Sequence, residues 1–153
     1  MSLQSVQAFL AEHAPDIEVT EMDASLATVA LAAQALGVAD GQIAKTLSLR
    51  TGDDIIVLVM RGDARIDNRK YKQQFGTKAR MLEASEVEDI TGHPVGGVCP
   101  FGLARPLSVF CDVSLKAFTE VFPAGGAQHA AVRITPERMA VLVNAQWVDV
   151  AQG

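Results

Sequence analysis

Three groups of residues in this 153-residue chain have types and spacings suited to chemistry. The first is the stretch Gly92-His93-Pro94-Val95-Gly96-Gly97-Val98-Cys99-Pro100-Phe101-Gly102, with four glycines and two prolines in eleven residues. Glycine has no Cβ, so Gly96-Gly97 can take positive φ and bring backbone N–H groups close to a ligand, while Pro94 and Pro100 fix φ on either side. Such a stretch presents main chain, either to a ligand or simply as a structural turn. No Gly-Lys-Ser/Thr follows it and its glycines are not spaced GxGxxG, which excludes the standard phosphate loops.

The second group is a single residue, Lys45, the one charge between Asp40 and Arg50. Its ammonium must either snorkel to solvent or meet an anion in a pocket. The third is Cys99, which reads as a nucleophile with His93 or His129 as base, or as a small apolar residue packed under a glycine turn. No third orienting group accompanies it. Three histidines and scattered carboxylates have no metal-ligand spacing, so neither a metal nor another cofactor is expected.

The flanking elements must position these groups. Apolar residues at Leu3, Val6, Phe9 and Leu10 predict a helix over 2–13, followed by a short strand over 17–22. Thr28 caps a second helix through Leu36, stopped by Gly37. Residues 44–50 alternate as a strand, and Thr51-Gly52-Asp53-Asp54 turns the chain back into Ile55–Met60, apolar on both faces and therefore a buried central strand. Asp67 caps a helix over 68–75, closed by Gly76; residues 80–82 are extended, and Ser85 begins a helix to Ile90 that feeds the glycine stretch. Beyond it come a strand over 107–112, one helical turn over 113–118, an extended 120–122, a second glycine turn over 123–129 and a strand over 130–134. Thr135-Pro136-Glu137 starts a last helix with proline at its first position, and residues 147–150 form the last strand. Strands and helices mix without a strict βαβ rhythm, which predicts an α/β (α+β mixed) fold: a mixed, barrel-like sheet ringed by helices.

The 49% apolar content suffices for a real core, and the length suits a single domain over residues 1–153. Two cysteines are too few for a disulfide framework, no apolar run is long enough to cross a bilayer, and the N-terminus has no signal-peptide pattern; a soluble, cytoplasmic protein is expected. The net charge of −5 argues against general nucleic-acid binding. Its distribution qualifies that, because seven basic residues stand against two acidic ones between Arg61 and Arg80. One basic segment on an acidic body can receive a polyanion locally, and it equally suits a solvated helix face.

Taken together, Ile43-Ala44-Lys45-Thr46-Leu47, then Thr91 through Gly102, then Phe122-Pro123-Ala124-Gly125-Gly126 resemble the YbaK/prolyl-tRNA synthetase-associated editing domain family, in order and over nearly the whole chain. The resemblance implies a trans-editing deacylase that hydrolyses the ester of mischarged tRNA, with tRNA-Pro bearing a small non-cognate amino acid as substrate and prolyl-tRNA synthetase as a possible associate. A non-catalytic tRNA- or nucleotide-binding module using the same cleft is the alternative. By resemblance Lys45 holds the phosphate region of the tRNA 3′ end, and the amides of Gly96, Gly97 and Val98 surround the ester carbonyl and position water. Thr46, Gly92, His93, Cys99, Pro100, Asp112, Gly125 and His129 are carried over as substrate-binding positions. Arg65, Arg69, Lys70 and Lys72 become acceptor-stem contacts, which position a tRNA with little sequence reading. Pro123 and Gln128-His129 depart from the cysteine-clearing branch of the family, so the resemblance leaves the amino acid open.

Overall fold

A computed structural model describes residues 2–153. Strand β3 (Asp54–Arg61) is the strand on which the other layers are laid. Val57, Leu58, Val59 and Met60 are all fully buried, because the strand is covered on both faces. With side chains alternating sides, Val57 and Val59 enter one core together with Val6, Leu10 and Phe101. Leu58 and Met60 enter another with Leu49 and Tyr71. A strand apolar on both faces thus becomes the partition between two cores.

Strand β2 (Ile43–Thr51) pairs antiparallel with β3 through the tight turn at Gly52-Asp53, and β5 (Ser108–Asp112) lies parallel on the other side of β3. β8 (Gln146–Val148) extends the sheet beyond β5. On the outer edge of β2, β4 (Arg80–Met81) pairs at Leu49 and Arg50, and β6 (Phe122–Pro123) pairs at Ile43 and Ala44. A second sheet joins β1 (Val19–Glu21) to β7 (Ala130–Val132). Isolated bridges at Val121–Ile134 and Ala124–Ala131 carry the pairing from the β6 segment to the β7 segment, so the two sheets continue into one another.

Five helices surround the strands: α1 (Ser2–His13), α2 (Val29–Leu36), α3 (Asn68–Phe75), α4 (Ala84–Thr91) and α5 (Pro136–Leu142). Their ends follow the sequence signals. Thr28 Oγ1 accepts from Leu31 N–H at 3.2 Å, Asp67 Oδ1 accepts from the Arg69 and Lys70 N–H groups at 3.0 Å, and Gly37 and Gly76 close α2 and α3 at φ 71° and 78°. The differences are local. α4 starts at Ala84 rather than Ser85, the expected strand over 130–134 ends at Val132, and the last strand is shifted to 146–148.

No described helix is long and apolar enough to cross a membrane.

Candidate active-site cleft

The outer edge of β2 is interrupted. β6 covers it at Ile43–Ala44 and β4 at Leu49–Arg50, which leaves residues 45–48 without a strand beside them, although Leu82 N–H reaches the Ser48 carbonyl at 3.1 Å. A cavity of about 220 Å³ opens at this gap, with Lys45, Thr46, Gly96 and Val98 in its lining. Most of the remaining wall is apolar, from Leu26, Val29 and Ala32 at the start of α2 to Phe122 and Ala131 on the β6–β7 side. Among the described residues, Lys45 is the only charged one that lines it.

Lys45 is half-buried at the cavity edge, and its Nζ donates to the Ala64 carbonyl. Burial pulls its pKa below the ordinary lysine range, the Asp63 carboxylate opposes that, and Arg65 adds to it. Asp63 is itself held by Arg61, Nε to Oδ1 at 2.6 Å and a terminal guanidinium nitrogen to Oδ2 at 3.1 Å. An ammonium has three donors. One goes to Ala64, so the others are available to an anion, which would also relieve the desolvation that depresses the pKa. Beside it Thr46 Oγ1 is the one buried side-chain oxygen or nitrogen among the described residues without a hydrogen-bond partner.

The glycine stretch reaches the cavity through a tight turn. Gly97 N–H donates to the Pro94 carbonyl at 2.9 Å, with Gly96 at φ 89°, the geometry of a type II turn whose third position requires glycine. The amide of Gly97, expected at an ester carbonyl, is therefore spent inside the turn. Gly96 and Val98 line the cavity instead, and no described residue accepts from either N–H. The second glycine turn backs this loop. Gly126 N–H donates to the Gly97 carbonyl at 3.1 Å, Gln128 Nε2 donates to the Val95 carbonyl at 2.7 Å, and a Cβ at Gly97 would lie 2.8 Å from Ala127 N.

The other residues carried over by resemblance lie outside the cavity lining. Gly92 is the left-handed cap of α4. His93 is fully buried; its Nε2 donates to the Phe101 carbonyl at 2.7 Å and its Nδ1 lies 2.6 Å from Ser2 Oγ, which also touches the Gly126 carbonyl. Burial lowers the pKa of His93, with the Phe101 carbonyl opposing the shift. Cys99 and Pro100 are buried beneath the loop. Cys99 is fully buried outside the cavity lining, burial pushes its thiol up to about 12, and the nearby His93 Nε2 already serves Phe101, all of which argue against the nucleophile reading.

Asp112 is fully buried at the end of β5, where Oδ1 accepts from Val150 N–H at 2.7 Å and Oδ2 from Ser114 N–H at 2.9 Å. Both oxygens are thus committed to backbone. Gly125 is packed against Ala130 and Val19. His129 is exposed and pairs with Glu21 at 3.0 Å. Of the basic residues on and before α3, Arg65, Arg69 and Lys72 are exposed, while Lys70 holds Asp149 at 3.1 Å and the Ala151 carbonyl at 2.9 Å.

Residues 23–142 match the model of the aminoacyl-tRNA editing domain. The protein YwhH of Bacillus subtilis (strain 168) is 47% identical over 154 residues, covering 99% of this chain and 98% of that protein. The proline--tRNA ligase of Citrifermentans bemidjiense is 37% identical over 82 residues, which is 53% of this chain and only 14% of the ligase. Among solved structures, a candidate trans-editing enzyme for prolyl tRNA synthetase superposes with a TM-score of 0.90 at 34% identity, covering 99% of this chain and 98% of that one.

Proposed function

The chain belongs to the aminoacyl-tRNA editing domain family, and from that premise we propose that it is a deacylase acting in trans on mischarged tRNA, with tRNA-Pro carrying a small non-cognate amino acid as its substrate. The observation that carries this reading is the placement of Lys45 with Gly96 and Val98 in one cleft that holds no other charge. The Lys45 ammonium takes a phosphate of the tRNA 3′ end. The free N–H groups of Gly96 and Val98 donate to the ester carbonyl oxygen as it gains negative charge, and such oriented donors are worth a few kcal/mol each in a water-poor site. Water, or water assisted by the adjacent ribose hydroxyl, supplies the attacking oxygen. A carbon–oxygen bond forms from water to the acyl carbon, the acyl–ribose bond breaks, and the water proton ends on the ribose oxygen. The products are a free amino acid and an uncharged tRNA. Because an aminoacyl ester is already reactive, alignment and charge stabilisation suffice without a protein nucleophile.

The likeness to proline--tRNA ligases and to a candidate trans-editing enzyme supports the choice of tRNA-Pro. The exposed Arg65, Arg69 and Lys72 are proposed to meet acceptor-stem phosphates, with Lys70 contributing from its pair with Asp149. A charged-tRNA substrate supports a cytoplasmic location, where translation runs. The test is to follow ester loss from tRNA-Pro charged with alanine, serine, cysteine, threonine or 2-aminobutyrate. Turnover of at least one above its spontaneous rate is expected; no turnover of any, with tight and salt-sensitive tRNA binding, would instead identify a binding module.

A further inference from the structure

A peptide unit is planar and trans, so the C=O of one residue and the N–H of the next point in opposite directions from the same plate. In the turn Pro94-Val95-Gly96-Gly97 the middle plate joins Val95 to Gly96. Type I and type II turns differ by rotation of that middle plate through roughly half a revolution, and type I is the commoner state for most sequences. Whichever state the turn holds therefore decides where the Gly96 N–H is aimed.

Here the turn is type II, with Gly96 at φ 89°, and the Val95 carbonyl is held by Gln128 Nε2 at 2.7 Å. Gln128 is exposed and does not line the cleft, whereas Gly96 does. Gln128 also spans the site through its backbone, since its carbonyl accepts from Leu26 N–H at 2.6 Å, next to Ala27, whose Cβ would lie 3.0 Å from a Cβ on Gly96. The side chain thus grips the outward end of the plate, and the Gly96 N–H leaves from the opposite end with no partner among the described residues.

We propose that Gln128 is a positioning residue that holds the Val95–Gly96 peptide in its type II orientation and so keeps the Gly96 N–H aimed at the reacting carbonyl. The inference rests on the deacylase reading above for its consequence in turnover, but the orientation of the peptide is a property of the free protein. Gln128 acts through the backbone of Val95 and touches no substrate. A donor aimed before the reaction stabilises the transition state more than the bound ester, so its loss lowers kcat with little change in KM.

The deciding variant is Gln128→Glu, which keeps the shape of the side chain but sets a carboxylate against the Val95 carbonyl. With the substrate that wild type turns over best, kcat is expected to fall by about tenfold or more at pH 7.5, KM to change by less than about twofold, and the melting temperature to stay within a few degrees. As pH is lowered toward 4.5 the glutamic acid regains a donor proton, so the ratio of variant to wild-type kcat should climb back. His129, the next residue in the chain, and its partner Glu21 are present in both proteins and cancel in that ratio. A purely structural role predicts a ratio that does not respond to pH. The amide resonance of Gly96 gives an assay that needs no turnover: it should shift in Gln128→Glu at pH 7.5 and return toward the wild-type position at pH 4.5. An unshifted Gly96 resonance, or an unchanged kcat in an active enzyme, overturns the clamp. An inactive wild type with a shifting Gly96 resonance overturns the deacylase reading and leaves the clamp standing.

Discussion

Thr91, His93 and Asp112 lie under the glycine loop and at the end of β5 as deeply buried as any leucine in the core, and each spends its polar atoms on a neighbour. Thr91 Oγ1 donates to the Val87 carbonyl at 2.7 Å, both nitrogens of His93 are engaged, and both oxygens of Asp112 accept from backbone. The cleft wall a few residues away is the reverse. Among the described residues Thr46 Oγ1 has no partner, the Gly96 and Val98 N–H groups have none, and Lys45 uses one of its three donors. An unmade hydrogen bond in a buried setting costs about 1–3 kcal/mol. The contrast between three satisfied side chains and a wall with open donors and acceptors supports the proposal that the wall serves a bound substrate. On the proposed reading, the partner-satisfied groups are scaffold and the partnerless ones face the ligand.

The contrast is exposed to direct attack. Lys45→Ala should produce the largest effect, a fall in turnover of about a hundred- to a thousandfold, typical of losing a charge-stabilising group, while the melting temperature hardly moves; retained turnover would remove the lysine from the ligand side. His93→Ala should do the opposite, costing about 3 kcal/mol through a cavity and two stranded partners, read as a large drop in melting temperature with kcat of the folded fraction preserved. Asp112→Ala should cost about 2 kcal/mol by orphaning the Ser114 and Val150 N–H groups. Lost turnover at unchanged stability would instead return Asp112 to the substrate. Thr46→Val should leave stability unchanged or raise it by up to about 1 kcal/mol, because a methyl replaces a hydroxyl that bonds to nothing, and any cost should appear only in turnover.

The smallest effect is one of pH. His93 has its folded pKa depressed by burial, so the unfolded chain takes up the proton first and binds more protons than the folded one below the ordinary histidine value of about 6.5. Its contribution to stability is complete above that pH and declines as pH falls from there through the folded pKa. Wild type should therefore lose more melting temperature between pH 7.5 and pH 5 than a His93→Asn variant does; equal losses would mean that the ring is already charged in the folded protein.

Much of this division was readable before any coordinates. Local signals placed the caps at Thr28, Asp67 and Thr135, the stops at Gly37 and Gly76, and the two-faced strand over 55–60, because each depends on a few adjacent side chains. The glycine stretch was legible as a main-chain surface for the same reason. The resemblance also carried Cys99, Pro100 and Asp112 over as substrate-binding positions, whereas the cavity is lined by Lys45 and not by these three, a distinction that depends on side-chain placement and not on a motif. The break in the β2 edge was hidden, as it arises from where β4 and β6 stop, segments about thirty residues from β2 at one end and more than seventy at the other. The apolar wall at Leu26, Val29 and Ala32 left only a weak trace, the helix Val29–Leu36 with scarcely a polar residue on any side. Gln128 was visible only as a departure from a family branch, because its partner, Val95, is 33 positions away.

The interrupted edge of β2 has a further consequence for the behaviour of the protein in a crowded solution. A sheet margin with free backbone groups is a template for self-association, and natural sheets shield such margins. Here residues 45–48 have no strand on their outer side, with only the Ser48 carbonyl bonded there, to Leu82 N–H, and β4 and β6 act as stops at both ends. An extended segment from another molecule finds a berth too short for a ladder to propagate, so the opening admits a small guest without inviting fibril growth.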